Sequence, residues 1–415
     1  MPPPAPPRSA PARPGREGAA GVALVVAGTR PECIKLAPVL GALARCPTLA
    51  TVVVNSGQHR DAVRQTLAGF GLGCDLELAA LPARGNLRAA CADLRRRLAT
   101  AIGRVRPAFV LVQGDTLTAY AAARAGRDAG CRVVHVEAGL RTDSPADPFP
   151  EEWFRRRIAR HAQLHFAPSR SAAANLLREG VDPAAIHCVG NTGIDSLRAL
   201  LDGERALSRP RPERAGRVLV TLHRRENWDA RAEVVCDALV ELVARRPALR
   251  VLFPLHPNPR IARRLQRRLG AHPAFDLVAP LPYPEFIRAA AGAALIVSDS
   301  GGIQEEAPHL GVPLLVPRAN TERGESLATG FVRLVAVDRE RIVEAALALL
   351  AAPRRAPVPF DAQAPYGAGD AAARIVAVLE RSFGAAAEAE ESRAGPRHAA
   401  RELSLIHISE PTRPY

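Results

Sequence analysis

Ser298-Asp299-Ser300-Gly301-Gly302-Ile303-Gln304-Glu305-Glu306-Ala307-Pro308 follows the short apolar run Ala293-Ala294-Leu295-Ile296-Val297. That run is β-branched and brief enough for a strand buried in a parallel sheet. Ile303 to Leu310 is rich in helix formers, and Pro313 opens the next strand at Leu314-Leu315-Val316. Strand, small-residue turn and helix together aim free backbone N–H groups and a helix dipole at an anion. The two glycines allow a phosphate to approach the backbone closely. Glu306 then falls about one turn into the helix, where a carboxylate can accept hydrogen bonds from sugar hydroxyls. A plain N-cap by Ser300 with an ordinary surface glutamate fits the same residues.

Working outward, the same unit recurs along the chain. Val22–Val26 leads through Gly28-Thr29-Arg30-Pro31-Glu32 into a helix carrying Lys35, with Pro31 suited to its first position. Thr51–Val54 leads to Gly57-Gln58-His59-Arg60, Phe109–Val112 to Gly114-Asp115-Thr116, and Arg132–Val136 to Glu137-Ala138-Gly139. Further strands are expected at Leu164–Pro168 and Ile186–Gly190. The second half repeats the plan. Arg217–Thr221 precedes His223-Arg224-Arg225-Glu226-Asn227, and Leu249–Phe253 precedes His256. Strands alternating with helices, each ending in polar residues at one edge, define an α/β class of doubly wound parallel sheets. Residues 203 to 216, with Pro210 and Pro212, read as a surface loop.

Composition limits the partners. Of 56 basic residues only Lys35 is lysine, and the abundance of alanine, arginine and proline points to coding bias. The net charge of +14 favours anions, yet the arginines are dispersed among carboxylates and only 4% of residues are aromatic. That argues against nucleic acid and for a nucleotide or phosphorylated substrate. Seven cysteines without a CxxC pair suit a reducing compartment, the cytoplasm, and no run reaches membrane-spanning length. Residues 1–20 are expected to be a disordered Pro-rich tail. From Gly384 onward disorder is expected again, and Ser404–Tyr415 resembles a translated sequencing adapter.

Asp115 and Glu137 each end an apolar strand before a small residue, the placement of an acid/base pair in a crevice. Helix capping, or pairing with Arg141, is the plainer account. Glu151 and Glu152 open a helix with Arg155 and Arg156 at ion-pair spacing, which on pattern alone reads as an exposed salt-bridged helix. His223, within its His-Arg-Arg-Glu cluster, fits an anion site better than a lone structural histidine.

Nine blocks in order carry a family resemblance: Gly28-Thr-Arg-Pro-Glu, Gly57-Gln-His-Arg, Gly114-Asp-Thr, His135-Val-Glu-Ala-Gly-Leu-Arg, Pro150-Glu-Glu, Gly190-Asn-Thr, His223-Arg-Arg-Glu-Asn, Asp299-Ser-Gly-Gly-Ile-Gln-Glu-Glu and Thr321-Glu-Arg. Over residues 22 to 380 the chain resembles the non-hydrolysing UDP-N-acetylglucosamine 2-epimerase family. The resemblance implies two Rossmann-like domains facing across a cleft, the glycosyltransferase-B fold. The first would span 21–190 plus a return helix at 367–383, and the nucleotide-binding second 191–366. It implies that Ser300, Gly301, Gly302 and Arg30 hold the diphosphate, Glu306 the ribose, and the Tyr283–Phe286 segment, including Phe286, the uracil. Asp115, Glu137, Glu151 and His223 would surround the sugar, with Lys35 and Arg323 nearby. Gln58, Arg225 and His256 would serve an activating substrate site. No metal or cofactor is implied, and the assembly would be a homodimer. Two positions depart from the family pattern: Trp153-Phe154 precede Arg155 where Asn-Arg is usual, and Asn86 follows Gly85 where Gln is usual. Three alternatives stay open: a hydrolysing relative releasing ManNAc and UDP, an epimerase of a related UDP-diacetamido sugar, and a catalytically silent nucleotide-sugar sensor.

Overall fold

The computed structural model describes residues 21–81, 86–142, 144, 148–203, 216–222 and 230–384. The expected tail at 1–20, the loop core at 204–215, the His223–Asn227 cluster and the segment beyond Gly384 lie outside the described residues.

Among the described residues the first sheet contains β1 (Gly21–Ala27), β2 (Leu49–Asn55), β3 (Leu76–Glu77), β4 (Phe109–Gln113), β5 (Arg132–Val136), β6 (Leu164–Ala167) and β7 (Ile186–Cys188). Its order is β3-β2-β1-β4-β5-β6-β7, and every paired strand is parallel. The second sheet contains β8 (Arg217–Thr221), β9 (Arg250–Pro254), β10 (Phe275–Val278), β11 (Leu295–Ser298), β12 (Leu314–Pro317) and β13 (Val332–Val335). Its order is β10-β9-β8-β11-β12-β13, again parallel. Each sheet therefore reverses its winding once, between β1 and β4 and between β8 and β11. The crevice at the carboxyl ends of those strands is where such sheets bind ligands.

Continuous runs such as Val22–Ala27 make strands buried on both faces. One face of the first sheet packs on α1 (Arg30–Leu43) and α14 (Ala371–Leu379), through Leu36, Val39, Leu40, Ile375 and Leu379. Its other face packs on α3 (Leu87–Val105), α4 (Leu117–Asp128) and α5 (Glu151–Ala159). Each fully buried aliphatic or aromatic side chain of this kind contributes about 1.5–3 kcal/mol. Helix α14 thus returns to the first sheet, and beyond it Phe383 lies 4.4 Å from Phe109 between ring centroids. The second sheet is covered by α8 (Ala230–Arg245), α9 (Pro259–Leu269) and α13 (Arg339–Ala351) on one side. On the other lie α7 (Thr192–Gly203), α10 (Tyr283–Ala291) and α11 (Gly301–Leu310). Between α1 and α7 in chain order come α2 (Arg60–Gly69) and α6 (Arg170–Arg178), and α12 (Gly324–Ala328) follows β12.

Two helices begin earlier than their sequence suggests. α11 starts at Gly301, so both glycines lie in its first turn, and α1 starts at Arg30, which places Pro31 second.

Candidate active site

The two switch points meet. After β5 the chain turns left-handed at Glu137, φ +65°, a conformation that costs a non-glycine residue about 1–2 kcal/mol. The turn is held from both sides. Gly114, itself at φ +70°, donates its N–H to the Val136 carbonyl at 3.0 Å. His135 donates from Nε2 to the Gly114 carbonyl at 2.8 Å. Burial keeps His135 neutral by lowering its pKa to about 3, which suits a single-donor tautomer.

The buried Glu137 carboxylate collects donors from four directions. Oε1 receives the Lys35 ammonium, the Asn191 amide at 3.3 Å and the Arg323 guanidinium at 3.1 Å. Oε2 receives the Gln113 amide. Burial opposes its charge, but Lys35 and Arg323 outweigh that and hold Glu137 below the usual carboxylate range. Lys35 is held up in turn: burial works against the ammonium, and Glu137 and Glu305 more than compensate.

Arg323 joins the two sheets. Besides Glu137 it donates to Glu305 at 2.6 Å and to Glu322. Glu322 also meets Arg318 at 3.1 Å and Arg155 at 3.5 Å. Arg155 carries the chain of charges to Asp115, at 2.5 Å, and to Glu152, at 3.0 Å. Asp115 and Glu137 are thereby linked through alternating charges of both sheets. Asp115 pairs with Arg155, and Arg141 pairs instead with Glu179 at 2.7 Å.

The opening stretch forms the opposite wall. Ser300 is the N-cap of α11 by backbone conformation, but its side chain makes no capping hydrogen bond. The plain-cap reading is therefore unmet, and the first-turn N–H groups keep their anion-binding capacity. A Cβ on Gly301 would lie 2.5 Å from the Arg323 guanidinium, whereas nothing stands within 4 Å of one on Gly302. Glycine at 301 lets Arg323 pass, and glycine at 302 leaves open space. The two adjacent glutamates of α11 part company: Glu305 meets Arg323, and Glu306 accepts the Tyr283 hydroxyl at 2.9 Å. Burial raises Glu306 to about 7. The Arg30 side chain, at the start of α1, makes no hydrogen bond or ion pair among the described residues. Burial lowers its pKa, opposed by the nearby Glu306 charge.

The remaining expectations separate. Lys35, Glu137, Arg323, Glu306, Arg30 and the α11 N-terminus come together at one junction. Glu151 is half-buried at the start of α5, while its neighbour Glu152 is fully buried and bound to Arg155 and Arg156. The exposed salt-bridged helix is thus corrected for Glu152: its carboxylate also accepts the Thr142 N–H at 3.3 Å and fixes Arg155 beneath Asp115. Trp153 and Phe154 turn away from these charges and pack on Tyr120. Phe286 is half-buried against the α10–α11 core. Gln58 accepts from the Thr118 hydroxyl at 2.7 Å, His256 accepts the Asn258 N–H at 3.0 Å, and Asn86 caps α3. His223 and Arg225 lie outside the described residues.

Sequence reasoning gave no role to Glu32, Gln113, Asn191, Tyr283 or Glu322 individually. Glu32 had a readable signal, the Thr29-x-x-Glu32 capping box. It accepts the N–H groups of Gly28 and Thr29 at 2.9 and 2.6 Å and the Thr116 hydroxyl at 2.6 Å, tying the β1 turn to the β4 turn.

Two doubly wound parallel sheets, meeting through their strand-end loops over an open helix N-terminus, place the chain in the glycosyltransferase-B fold class. The family model described as UDP-N-acetylglucosamine 2-epimerase matches residues 41–380. The UDP-N-acetylglucosamine 2-epimerase of Escherichia coli K12 is 38% identical over 370 residues, 86% of this chain and 98% of the relative. Its namesake from Bacillus subtilis is 37% identical over 376 residues, 90% of this chain and 98% of the relative. The crystal structure of the Neisseria meningitidis UDP-GlcNAc 2-epimerase bound to UDP-GlcNAc superposes with a TM-score of 0.80 at 33% identity, covering 87% and 100% of the two chains. The chain belongs to the UDP-N-acetylglucosamine 2-epimerase family.

Proposed function

We propose that the protein interconverts UDP-GlcNAc and UDP-ManNAc by eliminating and re-adding UDP, without net hydrolysis. The observation that carries this reading is the buried Glu137 carboxylate, held between Lys35 and an Arg323 that packs on Gly301 in the first turn of α11, whose N-cap Ser300 makes no capping hydrogen bond. A base removes the proton from C2, the C1–O bond to UDP breaks, and its electron pair leaves with the diphosphate. The neutral product is 2-acetamidoglucal. Protonation of C2 from the opposite face and attack of a diphosphate oxygen on C1 complete the inversion. Asp115 and Glu137 share the proton transfers, and Glu151 and His223 line the sugar. Arg30, Ser300, Gly301 and Gly302 take the diphosphate, where N–H groups and a cation stabilise the departing charge. Glu306 takes the ribose hydroxyls, displacing the Tyr283 hydroxyl, and the segment up to Phe286 takes the uracil. Gln58, Arg225 and His256 form an activating substrate site.

In the same reading the chain divides at 190/191, with the helix after Gly367 returning to the first domain. The enzyme works as a cytoplasmic homodimer supplying cell-surface polysaccharide synthesis. Incubation with UDP-GlcNAc in D2O, followed by NMR, tests the chemistry: deuterium at C2 and UDP-ManNAc at equilibrium are expected. Free ManNAc with stoichiometric UDP would establish the hydrolysing reaction instead. Binding without exchange would establish a sensor.

A further inference from the structure

Gly190-Asn191-Thr192 stands out in the sequence, and the reading above leaves it without a task. It lies where the chain leaves the first sheet. Val189 makes the last ladder bond there, to the Ala167 carbonyl at 3.0 Å, and Thr192 opens α7. The returning segment touches it: the Asn191 N–H donates to the Tyr366 carbonyl at 2.8 Å. Gly190 and Gly367 are both left-handed, at φ +96° and +88°. A Cβ on Gly190 would stand 2.8 Å from the Tyr366 carbonyl oxygen. Side chains are excluded where the two crossings meet. From the far side, Ser326 of α12, three residues beyond Arg323, donates its hydroxyl to Tyr366 at 3.2 Å.

The Asn191 side chain is fixed at both ends. Its Oδ1 accepts the Gly193 N–H at 3.0 Å, which leaves Nδ2 to face Glu137. Asn191 is almost fully buried, so neither group has water as an alternative partner. One residue therefore contacts the outgoing crossing, the returning crossing and the Glu137 carboxylate.

We propose that Asn191 is a positioning residue that ties the Glu137 carboxylate to the crossings between the two sheets, orienting it for proton transfer. The proposal rests on the epimerase reading for what Glu137 does, while the tie itself is independent of substrate. An amide suits the task. Glu137 is already faced by Lys35 from α1 and Arg323 ahead of α12, with Glu305 on α11 and neutral His135 on β5 close by. A third cation would depress its basicity further, whereas a neutral donor fixes one oxygen without that charge.

Two variants separate positioning from scaffolding. Asn191→Asp keeps an oxygen for Gly193 and the backbone bond to Tyr366, but replaces the donor facing Glu137 with an acceptor. Asn191→Ala removes both side-chain contacts. With UDP-GlcNAc as probe, each is expected to lower kcat at least about tenfold with KM changed less than about threefold. Asn191→Asp should also move the acid limb of the pH–kcat profile upward by about one unit, the effect of a like charge at this range. Carboxyl 13C NMR titration of Glu137, assigned by difference from Glu137→Gln, should show the same upward movement in full-length protein without substrate. Either variant turning over within twofold of the parent with an unmoved profile would overturn the proposal. If Asn191→Ala does not fold, the isosteric Asn191→Asp decides alone. If the parent shows no C2 exchange, the epimerase reading fails. The titration then still judges the tie, and an unmoved Glu137 would overturn it.

Discussion

Arg323 donates to Glu137 Oε1 at 3.1 Å, joining a residue that follows β12 of one sheet to a residue that follows β5 of the other. The pair is buried, and Arg323 simultaneously satisfies Glu305 and Glu322. Buried ion pairs of this kind add little net stability when intact, because desolvation offsets attraction, but breaking one strands its partners.

Arg323→Met is therefore expected to destabilise the protein by about 3–5 kcal/mol, since it leaves Glu137, Glu305 and Glu322 buried with fewer counter-charges. Arg323→Lys should recover only part of this, because an ammonium cannot reproduce the planar fork that reaches three carboxylates. Urea unfolding of the two variants beside the parent checks the order. Equal stability of all three would show that the network is already open to water.

Neighbouring glycines should respond differently. Gly301→Ala places a methyl against the Arg323 guanidinium and is expected to cost stability and turnover together. Gly302→Ala enters open space, so stability should stay within about 0.5 kcal/mol. If the diphosphate approaches the backbone there, UDP affinity falls. Calorimetric UDP titration and thermal unfolding of both variants read these two patterns, and an unchanged UDP affinity in Gly302→Ala would remove that backbone from the phosphate site.

A pH dependence follows from Glu306. Its folded pKa, raised by burial to about 7, exceeds the ordinary 4.5, so the folded state binds the proton more tightly. Stability from this group is complete below about 4.5 and is lost as pH rises through about 7. The loss is on the order of 3 kcal/mol by linkage. Glu32, also raised to about 7 by burial, acts over the same window. Glu137, depressed, acts only at lower pH. Urea unfolding at pH 5 and pH 7.5 should show the parent weakening and Glu306→Gln weakening less. Tyr283→Phe, which removes the hydroxyl donor to Glu306, should weaken more steeply than the parent. A Glu306→Gln slope equal to the parent's would mean that Glu306 is solvated.

Much of this site was legible because strand-end position is a local property. Apolar runs place Arg30, Asp115, Glu137 and Ser300 at one edge of each sheet, and the Gly301-Gly302 turn marks the helix N-terminus. What stayed hidden depends on partners far along the chain. Lys35 and Arg323 reach Glu137 across separations of 102 and 186 residues. Spacing could not tell which of Glu151 and Glu152 is buried, because their difference lies in contacts with Arg155 and Thr142 rather than in α5 itself. The Asn191 contact requires the return of residues 366–367, which no local pattern announces. Trp153 and Phe154 looked like a disturbance of the site, yet the helix turns them onto Tyr120 and leaves Arg155 beside Asp115.

The central claim is that Asp115 and Glu137 exchange protons with C2 of the sugar. It is tested most directly by the rate of deuterium entry at C2 of UDP-GlcNAc in D2O for Asp115→Asn and Glu137→Gln, with UDP binding measured in parallel. The account predicts exchange slowed by roughly 100-fold or more in each, the scale of losing a positioned acid or base, with UDP still bound through Arg30 and the α11 N-terminus. Parent-like exchange in both variants would contradict it and pass the proton transfers to Glu151 and His223.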